Sequence, residues 1–272
     1  MLLTIDIGNS AIKFGIFDAD SLVDKFLIQT KLDYTVEELL FDRLRYINEQ
    51  FFQIDSVIVS SVVPELDEIM RQACKNLLKV TPVFIDGEFN FGLQIKYEQS
   101  AAGSDRLVSA ASAAHKYGKP VIVCSFGTAT TIDAVNSEGE YLGGAIAPGM
   151  NTLAEALHLK TSKLPHVAID KPLSVIGSTT VDSIRSGVFF GYIGLVEGLI
   201  TRINSELISH DVGSQGGDAS SYTAAVTRSQ KIKVVATGGF ARTVADSCDQ
   251  IDIVDENLLL DGLRMLFDKQ RS

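Results

Sequence analysis

The sequence contains few of the residues that would indicate disulfides, a zinc site or nucleic-acid binding. Its three cysteines among 272 residues are odd in number, scattered and without a Cys-x-x-Cys pair, so they indicate buried thiols in a reducing cytosol and no zinc site. Acidic residues outnumber basic ones by 34 to 24. The resulting net charge of −10 argues against nucleic-acid binding, which requires a basic surface.

Hydrophobic runs of membrane-spanning length are also missing. No apolar stretch approaches the ~20 residues that cross a bilayer, and the N-terminal residues lack the basic and apolar regions of a signal peptide. We therefore expect a soluble cytoplasmic protein without a membrane partner. The composition, 46% hydrophobic and 21% charged, is that of a globular chain with a sizeable core.

The two most familiar nucleotide-binding motifs, the Walker A loop and Gly-x-Gly-x-x-Gly, are absent. A shorter pattern occurs twice in their place, in Thr4–Ala11 and in Val123–Thr130. Each copy is an apolar strand that ends in a glycine turn with small hydroxyl or amide residues. Backbone N–H groups in such a turn can approach phosphate oxygens because no Cβ intervenes. Two such turns would suit the phosphates of one nucleotide.

The repeated pattern opens two similar halves, each with the order strand, glycine turn, strand, strand. Strands that alternate with amphipathic helices predict α/β layering, and tight turns between consecutive strands predict partly antiparallel sheets. We expect an internal duplication with halves 1–118 and 119–272 and a ligand cleft between them. The last helix could pack back on the first half.

Hydrophobic periodicity predicts the individual elements. Strands are expected over Leu2–Gly8, Ile12–Asp18, Val23–Gln29, Val57–Val63, Val83–Asp86, Val121–Phe126, Thr130–Val135, Tyr141–Ile146, Val234–Thr237 and Ile251–Val254. Helices are expected from Thr35, with a capping box to Glu38, over Glu65–Leu78, Ser104–Tyr117 with Ser104 as the cap, Asn151–Leu157 and Val181–Leu207, and from Leu258. The polar tract Ser209–Gln230 indicates a surface excursion.

The glycine turns place candidate nucleotide ligands at the ends of buried strands. Asp6 could hold Mg²⁺, directly or through water, and Lys13 supplies a cation. In the second copy, Ser125 stands where the first has Asp6, and Thr128 adds a donor. Either string alone is typical of an ordinary turn. Their repetition in register makes phosphate binding the better interpretation.

Two further elements could carry chemistry. A buried strand ends in Gly238 and Gly239, where a flat ring or a ribose could lie against the backbone, although an ordinary strand-to-helix turn fits equally well. The start of a helix holds Asp105, which could accept a proton from a substrate hydroxyl, and Arg106, which could bind a carboxylate or phosphate through two hydrogen bonds. Asp105 could instead complement the helix dipole.

These elements in this order resemble the acetate kinase, sugar kinase, Hsp70 and actin superfamily and, within it, the type III pantothenate kinases. The matching motifs span nearly the whole chain: Asp6–Ser10, Ser60–Pro64, Tyr97, Gly103–Arg106, Phe126–Thr131, Gly143–Gly149, Gly177–Thr180 and Thr237–Gly239. The resemblance implies duplicated ribonuclease H-like (actin-like ATPase) domains with mixed sheets flanked by helices. It also implies ATP-dependent phosphorylation of pantothenate, the first committed step of coenzyme A synthesis, by a homodimer with Mg²⁺.

The resemblance assigns the site residues as well. Asp105 would be the catalytic residue, which orients or deprotonates the pantothenate hydroxyl. ATP would contact Asp6, Ile7, Gly8, Asn9, Ser10, Ala11, Ile12, Lys13, Gly127, Thr128, Gly238 and Gly239, and pantothenate would contact Tyr97, Gly103, Ser104, Asp105, Arg106 and Thr180. Ser125 departs from the family, which usually has an aspartate there, associated with K⁺ or NH₄⁺ and needed for activity.

Ser125 leaves three interpretations open. The enzyme could depend less, or not at all, on a monovalent cation; it could be slow; or the chain could be an impaired homologue that only binds ligand. Asp133 on the next strand could compensate, although an aspartate there often has a local role. A phosphatase or ATPase of the superfamily is a further alternative. Tyr97 and Gly103–Arg106 argue against it, because simple hydrolysis needs no second-substrate pocket.

Overall fold

The structure, a computed structural model, describes residues 1–39, 53–86, 89–97, 102–214 and 232–271. The chain forms two compact units. The first consists of Met1–Leu93, Glu98–Ser112 and Asn257–Ser272, and the second of Gln94–Tyr97 and Ala113–Glu256. The boundary at residues 118 and 119 rests on the sequence duplication and stays a prediction.

A five-stranded mixed sheet forms the first unit's centre. Its strands are β1 (Leu2–Ile7), β2 (Ala11–Asp18), β3 (Ser21–Gln29), β4 (Ser56–Ser61) and β5 (Val83–Phe84). The first three form an antiparallel meander, and β4 and β5 continue the sheet parallel to β1, which gives the order β3-β2-β1-β4-β5. The central strand β1 is buried along its whole length.

The second unit repeats this arrangement with one added strand. Its strands are β6 (Gln94–Ile95), β7 (Val121–Phe126), β8 (Ala129–Val135), β9 (Glu140–Pro148), β10 (Lys233–Thr237) and β11 (Ile253–Val254). The order β11-β10-β7-β8-β9-β6 matches the first sheet strand for strand, apart from β6, which pairs in parallel with β9. The predicted fold class, duplicated mixed sheets with flanking helices, is confirmed. The two-residue strand β6 was too short to produce a sequence pattern.

Seven α-helices accompany the sheets in the described part of the chain. They are α1 (Val36–Leu39), α2 (Asp67–Ala73), α3 (Ser104–Tyr117), α4 (Met150–Lys160), α5 (Thr180–Ser214), α6 (Ala241–Ala245) and α7 (Leu258–Arg271). A 3₁₀ turn, Pro64–Leu66, precedes α2, and a π-helical turn, Cys74–Leu78, follows it. The predicted capping box is present, since the Glu38 N–H donates to Thr35 Oγ1 and the Thr35 N–H donates to the Glu38 carboxylate.

Helix α7 belongs to the first unit and packs on β1 and β4. A Cβ added to Gly262 of α7 would lie 2.8 Å from the Val108 side chain and 2.9 Å from Ser112, both on α3. The absence of a side chain at residue 262 therefore lets the two helices approach closely. This contact fixes the position of α3 relative to α7.

Helix α5 differs from its prediction at the C-terminal end. It continues to Ser214, so the first residues of the tract predicted as a surface excursion are helical, and residues 215–230 lie outside the described residues. Thr180–His210 is long and apolar enough to cross a membrane by length and composition, contrary to the expectation from sequence. However, Phe189, Tyr192 and Val196 are buried in the second unit's core, which is typical of a core helix of a globular protein.

Candidate functional site

The first glycine turn joins β1 to β2. The Gly8 N–H donates to the Ala11 carbonyl oxygen at 3.1 Å, and Thr30 Oγ1 donates to the Gly8 carbonyl oxygen at 2.6 Å. Asn9 and Ser10 are exposed at the tip of the turn. The turn is thus held from within and by Thr30, the residue after β3, while its tip faces solvent.

The strand residues beside this turn form two cross-strand pairs. Ile7 and Ile12 pair with each other and are fully buried in the core, so only their backbone groups could contact a nucleotide. Asp6 and Lys13 form the next pair, with Lys13 Nζ 3.2 Å from Asp6 Oδ2. Asp6 is 3% exposed, and its Oδ1 atom has no hydrogen-bond partner among the described residues. Burial raises the pKa of Asp6, and the charge of Lys13 and its hydrogen bond oppose this shift.

A Mg²⁺ ion that arrives with ATP fits the Asp6 carboxylate. Mg²⁺ is usually held by one or two carboxylates together with substrate phosphates and water. In the part of the chain that the structure describes, no group of three or more His, Cys, Asp or Glu side chains could hold a metal ion by itself. The buried Oδ1 atom of Asp6, which has no hydrogen-bond partner in the described part of the chain, therefore suits a cation whose remaining ligands come from the nucleotide.

Ser60 of β4 continues this arrangement on the other side of Asp6. It pairs with Asp6 in the parallel register and is completely buried. We call Lys13, Asp6 and Ser60, which lie side by side on three strands, the first row. The Ser60 hydroxyl lies 2.8 Å from the hydroxyl of Ser104, the first residue of α3.

The first turn of α3 carries the predicted catalytic residue. The Asp105 carboxylate accepts a hydrogen bond from the Arg106 N–H at 2.9 Å. A Cβ on Gly103 would lie 2.5 Å from this carboxylate, so glycine leaves the space that the carboxylate uses. Arg106 is buried. The prediction of Ser104 as the cap is wrong, because its hydroxyl bonds to Ser60 and to the Ser61 carbonyl oxygen while the Asp105 carboxylate accepts a first-turn N–H.

The second glycine turn joins β7 to β8 and is enclosed by two other glycines of the second unit. The Gly127 N–H donates to the Ala129 carbonyl oxygen at 3.1 Å, as in the first turn. A Cβ on Gly149 would lie 2.1 Å from the Gly127 carbonyl oxygen, and the Gly149 N–H donates to the Thr128 carbonyl oxygen at 2.9 Å. Gly238 has φ +94°, and a Cβ there would lie 2.5 Å from the carbonyl oxygen of the residue before Gly127. The second of the two predicted phosphate turns therefore meets the predicted adenosine turn at one end of the second sheet.

The second unit contains the equivalent of the first row. Ser125 pairs with Thr131 on β8 and with Thr237 on β10, and we call these three residues the second row. Its three side chains carry hydroxyl groups and no carboxylate. Asp133, two residues beyond Thr131, is buried and accepts a hydrogen bond from the Tyr141 hydroxyl at 2.7 Å. This bond gives Asp133 a local role within the second sheet.

Two more predicted substrate residues also lie in the second unit. The Tyr97 ring meets the Tyr141 ring edge-on at 6.2 Å and covers Gly143, where a Cβ would lie 2.7 Å from it. Thr180 is the exposed first residue of α5 and lines a mostly apolar cavity of about 650 Å³ beside α4. The predicted site residues thus fall into two sets. Asp6 to Lys13 and Gly103 to Arg106 belong to the first unit and the others to the second.

Comparison with known proteins identifies the family. The family model for type III pantothenate kinases matches residues 2–202. A type III pantothenate kinase from Citrifermentans bemidjiense is 38% identical over 275 residues, which cover all of this chain and all of that protein. The chain belongs to the type III pantothenate kinase family. The identification made from the sequence motifs is confirmed.

Solved structures support the fold of this pantothenate kinase. A Baf family protein from Campylobacter jejuni superimposes with a TM-score of 0.58 at 21% identity and covers 99% of this chain and 98% of its own. An inorganic polyphosphate/ATP-glucomannokinase from Arthrobacter sp. strain KM gives a TM-score of 0.50 at 13% identity, with 99% and 98% coverage. At these identities the likeness shows the fold alone.

Membership of the pantothenate kinase family decides between the alternatives left open by the sequence. The chain is a kinase that uses ATP with a divalent metal and transfers phosphate to an alcohol. The alternative of an impaired binding homologue gains no support, because the relative that matches along the whole chain is named a kinase. Sequence reasoning gave Ser60 no role, since its contact with Ser104 joins residues 44 apart. Only the Ser-Ser string before Pro64 marked this position as part of a motif.

Proposed function

We propose that this chain transfers the γ-phosphoryl group of ATP to the hydroxyl group of pantothenate, with 4′-phosphopantothenate and ADP as products. Its membership of the type III pantothenate kinase family, matched over residues 2–202, carries this proposal. The reaction is the first step of coenzyme A biosynthesis. The residue roles below come from the two rows, the glycine turns and the first turn of α3.

The ATP phosphates bind at the two glycine turns in this proposal. The Gly8 and Gly127 N–H groups close the two turns, and the residues after them, Asn9 and Ser10 in the first turn and Thr128 in the second, face the phosphates. Asp6 would hold Mg²⁺, directly or through water, with the Oδ1 oxygen that has no hydrogen-bond partner among the described residues. Bound Mg²⁺ neutralises charge on the phosphate oxygens. The adenosine lies against Gly238 and Gly239 in this proposal, since a Cβ at Gly239 would meet no atom within 4 Å and the space beside it is open.

Pantothenate binds at Tyr97, Gly103 to Arg106 and Thr180. The hydroxyl oxygen attacks the γ-phosphorus while the bond from that phosphorus to the β-phosphate oxygen breaks, so the electron pair leaves with ADP. Asp105 accepts the hydroxyl proton or its hydrogen bond. A loose transition state requires an oriented nucleophile more than a deprotonated one, so a carboxylate that already accepts the Arg106 N–H is adequate. The buried Arg106 binds the pantothenate carboxylate.

The residues around Ser125 do not fit a monovalent-cation site built on a carboxylate. The second row supplies three neutral hydroxyl groups, and the nearby Asp133 carboxylate accepts a bond from Tyr141. Hydroxyl oxygens without a formal charge attract K⁺ or NH₄⁺ more weakly than a carboxylate does. We therefore expect turnover with little dependence on a monovalent cation.

The enzyme acts as a cytoplasmic homodimer in this proposal. Apolar side chains are exposed around the cavity beside α4 and α5, including Leu157, Leu159 and Val181. Exposed apolar groups of this kind are typical of an oligomer interface.

Asp105→Asn tests the central role. The change keeps the shape of the side chain but removes its charge and proton affinity, so kcat should fall at least ~100-fold. ATP binding, measured by titration calorimetry, should persist. Asp261→Asn is the matched control, because Asp261 also lies in the first turn of a 14-residue helix of the first unit. Unchanged turnover in Asp105→Asn would remove Asp105 from the mechanism.

A further inference from the structure

A chain of hydroxyl groups links the end of β4 to the start of α3. Ser104 Oγ donates to the Ser61 carbonyl oxygen at 3.2 Å and lies 2.8 Å from Ser60 Oγ. A serine hydroxyl has a single proton. Because Ser104 uses its proton on Ser61, Ser60 must donate the bond between the two hydroxyls. The order of donors is therefore Ser60 to Ser104 to the β4 backbone.

The strand end that receives this link is itself fixed. The Ser61 hydroxyl accepts a hydrogen bond from the Val63 N–H at 3.2 Å, which ties it to the chain that leads into α2. Ser60, completely buried, is the register partner of Asp6 on β1. The link therefore starts from a position that neighbours the proposed Mg²⁺ ligand and cannot move without the sheet.

The helix end that the link reaches carries Asp105, the residue after Ser104. Packing against α7 through Gly262 holds α3 at Val108 and Ser112, one to two turns further along the helix. The first turn has its backbone bonds from the Arg106 and Leu107 N–H groups to the Gly103 carbonyl oxygen. Within the first unit, the two hydroxyl bonds of Ser104 connect this turn to β4.

We propose that Ser60 is a positioning residue, which acts through Ser104 to hold Asp105 at a fixed place relative to Asp6. The inference rests on the proposed function, in which Asp6 carries Mg²⁺ with the phosphates and Asp105 receives the acceptor hydroxyl. A small misplacement of reacting groups lowers the rate of transfer much more than it lowers affinity. Ser60 itself touches no substrate in this arrangement.

The test compares Ser60→Ala, Ser104→Ala and the double variant with Ser112→Ala. Ser112 is a matched control, since its hydroxyl lies buried on the same helix without a hydrogen-bond partner among the described residues. Ser60→Ala should lower kcat about tenfold with KM for ATP nearly unchanged, whereas Ser112→Ala should leave both unchanged. The double variant should lose no more than Ser104→Ala, because loss of the Ser104 hydroxyl already removes both bonds of the link.

Amide hydrogen exchange supplies a second readout that does not depend on turnover. The Arg106 and Leu107 amides should exchange faster in Ser60→Ala and in Ser104→Ala, and at the native rate in Ser112→Ala. If Ser60→Ala does not fold, Ser104→Ala carries both tests, because its half-buried site in a first helical turn tolerates alanine.

The outcomes separate this inference from the proposed function. Native kcat in Ser60→Ala and Ser104→Ala, with an active wild-type kinase, would overturn the positioning role and leave the function standing. Native exchange rates at Arg106 and Leu107 would overturn it too. If the wild-type protein does not phosphorylate pantothenate, the proposed function fails. Asp105 then has no catalytic role for Ser60 to support, so the positioning inference fails with it.

Discussion

The first row, Lys13–Asp6–Ser60, and the second row, Thr131–Ser125–Thr237, occupy the same place in two sheets of the same strand order. Asp6 and Ser125 both lie on the central strand, two residues before a glycine whose N–H closes the turn. The first row holds an ion pair between the buried Asp6 and the half-exposed Lys13, whereas the second holds only hydroxyl groups. The duplicated fold therefore supplies two equivalent positions and places charge in one of them.

This difference indicates that the two rows bind different parts of the Mg·ATP complex. Burial of the Asp6 carboxylate is unfavourable in free energy and raises the pKa of Asp6. The charge of Lys13 and its hydrogen bond offset part of this effect. Hydroxyl groups such as those of Ser125 and Thr131 can donate to phosphate oxygens without an unpaired buried charge. One row thus suits a divalent cation, and the other suits the phosphate oxygens directly.

Asp6→Asn should have the largest effect on turnover, because it removes the carboxylate at the centre of the first row. Both rows would then have an uncharged residue at that position. The amide cannot bind Mg²⁺ as a carboxylate does, so kcat/KM for Mg·ATP should fall about 100-fold. Steady-state kinetics at limiting Mg²⁺ measures this, with the exposed Asp18→Asn on β2 as control. Native kinetics at limiting Mg²⁺ would show that the two rows do not differ in metal binding.

Lys13→Met should have an intermediate effect. The Lys13 ammonium lowers the pKa of Asp6 and so opposes the effect of burial. Without it the pKa of Asp6 should rise further, and the acid limb of kcat/KM for ATP should move to higher pH. At neutral pH the loss should be on the order of tenfold. A carboxyl with a raised folded-state pKa favours folding below that pKa, and this contribution disappears as the pH rises through it. The Tm of Lys13→Met should therefore drop more steeply with rising pH than that of the wild type.

Lys25→Met, on β3 of the same sheet, is the control for lost positive charge. Its pH profile should coincide with that of the wild type. A coincident profile in Lys13→Met as well would mean that Lys13 does not influence the ionisation of Asp6.

Ser125→Asp should have the smallest effect and sharpen the comparison by adding charge to the second row. We expect the wild type to turn over at similar rates in potassium and in sodium, and the variant to be a few-fold faster in potassium. A rise in Tm with KCl, absent with NaCl, is a second readout. Ser125→Asn, which introduces a side chain of the same shape as aspartate but without its charge, is the control for Ser125→Asp. A wild type that already requires potassium would show that three hydroxyl groups suffice for the ion.

Most of the fold could be predicted because its signals are local. The apolar runs that form β1 and β7, and the capping box at Thr35 and Glu38, need only neighbours in sequence. The site was predictable as far as its motifs extend, but contacts between distant segments were not. Nothing local in Ser104 distinguishes a capping hydroxyl from one that bonds to β4. Asp133 likewise gave no sign that Tyr141 would bond to its carboxylate.

The burial of all three cysteines has a practical consequence for labelling. Cys74, Cys124 and Cys248 are all buried, and burial raises the pKa of Cys74 to about 12 and raises that of the other two thiols as well. Thiol reagents attack the thiolate, so the native protein offers them almost no target. A single cysteine introduced on the surface would therefore accept a fluorescent or spin label alone, without prior removal of the native thiols.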